Sequence, residues 1–126
     1  MPPSERVIAA DLQQQMLDVL QDRAKRAGVA DRIRTHRCEP NRIGVDTPID
    51  FAIAFAMVHE TPHTEKFLQQ IYSCLKVGGL LFVAEPRLHV PVRTFEKMMS
   101  IARGLGLTKY GEPQIRLCKA VVLAKP

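Results

Sequence analysis

Cysteine is scarce in this sequence, and its spacing does not suit a disulfide framework. The 126 residues hold three cysteines, Cys38, Cys74 and Cys118, an odd number set far apart. That pattern predicts reduced thiols and a cytoplasmic location. Long apolar runs are lacking too. None reaches the roughly 18 residues a membrane helix needs, so no membrane partner is expected. The start, Met1-Pro2-Pro3-Ser4-Glu5-Arg6, places no apolar stretch behind a basic region, and no signal peptide is expected. Internal repeats, linkers and low-complexity stretches are also missing. Aromatic residues are absent where charge is densest, among Arg23, Lys25, Arg26, Arg32, Arg34, Arg37 and Arg42. Base stacking needs such interleaved aromatics. The basic stripe therefore reads as a solvated helix face and a protected edge strand, and nucleic acid is not the expected partner.

What is present suits one globular domain spanning 1–126. Hydrophobic residues make up 46% of the chain and charged residues 25%, with a formal net charge of +5. That balance permits a buried core and argues against wholesale disorder.

The periodicities predict an alternating order of elements. Arg6 to Asp11 reads as a short strand ending on an acid. Leu12, Met16, Leu20, Ala24 and Ala27 follow at helical spacing. Asp11 is a candidate cap for that helix, and Gly28 a candidate stop. Ile33 to Cys38 reads as a second strand, stopped by Pro40. Asp50 to Met57 alternates large and small apolar residues, as in a strand packed on both faces. Phe67, Leu68, Ile71, Tyr72 and Leu75 mark a helix that Gly78-Gly79 ends and turns. Leu80 to Ala84 is a continuous apolar strand closed by Glu85-Pro86. Phe95, Met98, Met99, Ala102 and Leu105 mark a third helix. Two final strands, Gln114 to Leu117 and Ala120 to Leu123, are predicted to form an antiparallel hairpin around Cys118-Lys119. The order β-α-β-β-α-β-α-β-β implies a mostly parallel sheet covered on both sides, an α/β three-layer sandwich.

An acid at a strand end, followed at once by a helix, is how Rossmann-like folds hold vicinal ribose hydroxyls. Leu75-Lys76-Val77-Gly78-Gly79 with Leu80 to Pro86 resembles the "L-K-x-G-G" turn and fifth strand of class I S-adenosylmethionine-dependent methyltransferases. Val7 to Asp11 resembles their second strand, Asp50 to Glu60 their fourth strand and its loop, and the closing hairpin their last two strands. The resemblance covers nearly the whole chain in order. It implies S-adenosylmethionine as cofactor, with Asp11 on the ribose and Leu12 beside the adenine. It further implies Glu39 near the adenine amine, Cys38 next to it, and Ala54 and Phe55 lining the cofactor. Read without the resemblance, Asp11 is also a helix cap, Glu39 an ion-pair partner and Phe55 a core residue.

One departure shapes the expectation. The first glycine is Gly28. The family's first strand and glycine-rich loop, which lets backbone approach the cofactor closely, would lie before Arg6. The sequence thus reads as a methyltransferase truncated ahead of its second strand. The sheet is expected to hold six strands in the family order 3-2-4-5-7-6, with the first strand missing. Unpaired edges and apolar faces predict a homodimer. A catalytically inactive fragment, acting as a binding or oligomerisation module, is the alternative.

His59-Glu60-Thr61-Pro62-His63 spells H-E-x-x-H, the helical zinc-protease motif. Its context opposes that reading. The preceding residues read as a strand, and Pro62 between the histidines disfavours a helix already under way. No metal is expected. His59 is instead the candidate catalytic base, in a loop at the carboxyl end of the sheet where ligands bind; it also reads as a residue stacking on the cofactor or as a satisfied polar residue of the loop. The loop lacks the N-P-P-Y type motif of base methylation, which favours a small-molecule methyl acceptor.

Overall fold

The computed structural model describes residues 6–55, 63–88 and 90–126, with the backbone alone at Phe55. Its contacts divide into two compact units, Met1–Val45 and Asp46–Pro126.

The first unit is built on two parallel strands, β1 (Val7–Asp11) and β2 (Ile33–Arg37), in register from Val7 opposite Ile33 to Asp11 opposite Arg37. Helix α1 (Gln14–Arg26) makes the crossover and packs on both strands. It ends as the sequence predicts: Gly28 adopts φ +74°, a left-handed conformation that glycine enters without a side-chain clash. Its inner face differs from the expected one. Leu17 and Ala24 are buried, while Leu12 and Met16 are about half exposed. A short 3-10 turn, Ala30–Arg32, leads into β2.

In the second unit, strands β3 (Ile49–Phe55), β4 (Leu75–Pro86), β5 (Thr108–Gly111) and β6 (Cys118–Ala124) form a sheet of order β3-β4-β6-β5. Helices α2 (Thr64–Cys74) and α3 (Val92–Leu105) pack together. The pleat alternates side chains between faces. Ala54, Leu81, Val83, Val121 and Leu123 are fully buried on one face, together with Leu68 of α2 and Ala102 of α3. On the other face, Phe51 is 50% and Ile53 66% exposed. The small residues of β3 thus face the core, and β3 is not packed on both faces as predicted.

Three further expectations are corrected. Hydrogen bonding among the described residues makes a two-stranded and a four-stranded sheet, not a single six-stranded one. The predicted neighbours β2–β1, β3–β4 and β4–β6 pair, whereas no pairing of β1 with β3 is found among the described residues. The pairing is also mixed rather than mostly parallel: β1–β2 and β3–β4 are parallel, β4–β6 and β5–β6 antiparallel. The second correction concerns Gly78-Gly79, which lies inside β4. Helix α2 stops earlier, at Cys74, because Leu75 is already extended at φ −67°, ψ 134°. Opposite Ile49 to Phe51, β4 bulges over Lys76 to Gly79. Gly78 takes φ +87° there, and a Cβ on Gly79 would meet the Lys76 carbonyl oxygen at 2.8 Å. Third, the final hairpin is antiparallel as expected, but its first strand is Thr108–Gly111. Gln114 to Leu117 is a turn region instead. Leu117 stands at φ +61°, and Cys118 N–H donates to the Ile115 carbonyl at 3.1 Å.

Candidate functional site

The carboxyl ends of β1 and β2 gather four of the predicted cofactor residues within the first unit. Parallel pairing sets Asp11 opposite Arg37, so the residues that follow each strand meet. Cys38 N–H donates to the Asp11 carbonyl at 2.8 Å, extending the ladder by one bond. Asp11 Oδ1 accepts the N–H of Gln13, the residue before α1, at 2.9 Å. This is an Asx-type turn ahead of the helix. Gln13 itself holds the N-cap position and makes no side-chain cap bond. Leu12 is 47% exposed, and its carbonyl accepts a bond from Arg37 Nε at 3.3 Å. Glu39 exchanges backbone bonds with Arg42, Glu39 N–H at 2.9 Å and Arg42 N–H at 3.1 Å. That bridge turns the chain and leaves the Glu39 side chain exposed.

The loop after β2 is held by residues that the sequence did not single out. His36 Nε2 donates to the Ile43 carbonyl at 2.8 Å. Gly44, at φ +76°, lies so close that a Cβ would sit 3.1 Å from that same nitrogen. Both anchors come from backbone folding over a side chain, which no local periodicity announces.

Electrostatics at this end act on the thiol. Burial pushes the Cys38 pKa up, and the nearby Asp11 carboxylate pushes it further. Cys38 is therefore held as a neutral thiol, a weak nucleophile.

The donor set fits the nucleoside half of S-adenosylmethionine. A carboxylate offers about four lone-pair sites. Asp11 uses one oxygen on Gln13 and retains capacity for hydroxyl groups. Exposed Leu12 offers an apolar surface beside it, and Glu39 an acceptor for an amine.

The remaining predicted residues fall within the span of the second unit, Asp46–Pro126. Ala54 is 1% exposed, opposite Val83. Phe55 ends β3 opposite Ala84, and its side chain is outside the described residues. His59, with Glu60, Thr61 and Pro62, is also outside them. His63 stands at the N-cap of α2.

A family model described as a methyltransferase domain matches residues 1–79. The chain belongs to that family. This methyltransferase domain is 30% identical over 78 residues to tRNA 5-carboxymethoxyuridine methyltransferase of Escherichia coli (strain K12), covering 60% of this chain and 30% of that protein. It therefore spans under a third of the length of the curated relatives it matches. Among solved structures, it is similar to a SAM dependent methyltransferase from Aquifex aeolicus, with TM-score 0.80 and 18% identity over 96% of this chain and 69% of that one. An O-methyltransferase family 2 protein from Planctomyces limnophilus, in complex with apigenin, matches with TM-score 0.79 and 18% identity over 96% and 43% of the two chains. At these identities the likeness is one of fold, and it agrees with a Rossmann-like methyltransferase.

Proposed function

We propose that this chain takes part in S-adenosylmethionine-dependent methyl transfer to a small-molecule acceptor. The observation that carries the proposal is the grouping of Asp11, Leu12, Cys38 and Glu39 at the carboxyl end of β1–β2. Parallel α/β folds bind nucleosides at such strand ends. Bound S-adenosylmethionine supplies the methyl group. The chain's own part is to hold and orient: Asp11 accepts from the ribose hydroxyls, Leu12 covers the adenine, and Glu39 accepts from its amine. Cys38 completes the proposed cofactor set of the first unit. Positioning two reactants supplies roughly 7–11 kcal/mol when geometry is good. His59 is the proposed base for an acceptor that must lose a proton, a role suited to an imidazole near neutral pH. We further propose that 1–126 form one Rossmann-like domain that is cytoplasmic and homodimeric.

Calorimetry with S-adenosylmethionine and S-adenosylhomocysteine tests it. Saturable binding is expected, and Asp11→Ala should weaken it about tenfold or more, because a charge-assisted bond is lost. No binding of either ligand would leave the noncatalytic binding module as the better reading.

A second reading is favoured by the E. coli relative, whose name states a tRNA substrate. The basic residues between Arg23 and Arg42 supply charge for a phosphate backbone. Filter binding of tRNA discriminates the two. Tight, steeply salt-dependent binding supports an RNA acceptor, and its lack supports the small molecule.

A further inference from the structure

Strand β4 sends Leu81, Val83 and Glu85 to the same face, two residues apart. Leu81 and Val83 are fully buried there. Glu85 continues the stripe at 2% exposure, the charged side chain that is buried among the described residues. A carboxylate where a third apolar residue would pack best loses hydration and needs compensation. Glu85 is engaged within the protein. It also lines a cavity of about 640 Å³ between the first turns of α2 and α3. That volume is typical of small-molecule sites.

The walls are chemically uneven. Val90, Phe95 and Met98 are buried apolar residues lining the cavity. The other charged groups, Glu65, Lys66 and Lys97, are exposed at its rim, as is His63. The lysines and the two helix N-termini oppose a cation at the mouth. Exposed rim charges are screened over roughly 8–10 Å by physiological salt. The buried carboxylate lies in a medium of lower dielectric, where attraction to an opposite charge is stronger. An aromatic wall at Phe95 adds to that preference.

We propose that this cavity binds a small organic cation, an ammonium group on a short apolar or aromatic body. The ammonium meets Glu85, and the body lies against Val90, Phe95 and Met98. The site shares no residue with the proposed cofactor set and stands whether or not the chain transfers methyl groups.

The test uses the full chain without cofactor, labelled at its methionine methyl groups, and three probes of matched shape: phenethylammonium, phenethyl alcohol and hydrocinnamate. Phenethylammonium should shift the Met98 methyl signal saturably. It should bind about tenfold more tightly than the alcohol, with the anion weakest, as expected for a desolvated charge pair. Glu85→Gln should remove that advantage and leave alcohol binding unchanged. Thr94→Trp, at an exposed lining position, should block all three probes while preserving the melting transition. If Glu85→Gln fails to fold, the probe ranking and Thr94→Trp carry the test. Equal affinity for the three probes, preference for the anion, or no saturable shift at Met98 would overturn the proposal.

Discussion

Asp11 and Cys38 are joined through a single backbone bond, and the Asp11 side chain acts on the thiol. The Asp11 carboxylate raises the pKa of a thiol already raised by burial. A raised acid pKa means the folded state keeps its proton after the unfolded chain has lost it. The contribution to stability is complete below the ordinary thiol range. It falls as pH climbs through that range toward the folded-state value. Cys74 follows the same sign, with burial as the largest cause, Asp46 adding and Lys125 opposing. Timed alkylation with iodoacetamide at mildly alkaline pH should therefore modify Cys38 several-fold more slowly than in the urea-unfolded chain, because thiolate is the reactive form. Asp11→Asn should speed modification in the folded state. Equal rates folded and unfolded would refute the protected thiol. The placement of Asp11 was legible in the sequence, since an acid at a strand end before an apolar helical repeat has few other homes. Glu85 was legible in part: its parity with Leu81 and Val83 is written in the sequence, but burial of that face is not. His36 and Gly44 were not legible, because their contact depends on how a loop returns across β2.

Among the strands, apolar pattern and strand position part company at the C-terminal hairpin. β5 reads Thr108-Lys109-Tyr110-Gly111, with three exposed residues and a register shift after Lys109. An edge strand of this kind needs no alternating apolar face, and polar residues protect it from further pairing. Ile115 and Leu117 alternate as a strand would, yet Leu117 turns at positive φ. Helix α2 shows the opposite case, in which a distant residue finishes a local element. It has no basic residue in its last turn. Lys125, at the end of the chain, donates from Nζ to the carbonyls of Tyr72 at 2.8 Å and Leu75 at 3.0 Å. Its charge also lies 4.3 Å above the Tyr72 ring. A cation on a helix C-terminus with two such bonds is worth about 1–2 kcal/mol. Lys125→Met keeps the stem and removes the charge. Chemical denaturation should show a loss of that size with an unchanged m-value. A loss below about 0.5 kcal/mol would mean that solvent serves these carbonyls equally well.

At the scale of the whole molecule, the two units carry very different cores. In the first, Leu17 and Ala24 are the buried apolar residues among those described, while Val7, Leu12, Met16 and Val19 are 45–58% exposed. So small a core does not sustain about 45 residues alone. In the second, the two strands that end the sheet among the described residues differ in character. The β5 edge is short and polar, whereas β3 ends the sheet with seven residues, Ile49-Asp50-Phe51-Ala52-Ile53-Ala54-Phe55. Asp50, bonded to Lys76 at 3.2 Å, is its one charge. Such an edge, flanked by exposed Phe51 and Ile53, is the kind that pairs with another chain. The proposed homodimer should therefore use it. Light scattering should give twice the chain mass at micromolar concentration and above. Ile53→Lys should shift the protein to monomer without altering its circular dichroism, since Ile53 is 66% exposed and a lysine on an edge opposes pairing. A monomer at every concentration would exclude the dimer. A dimer that survives Ile53→Lys would exclude this edge as its interface.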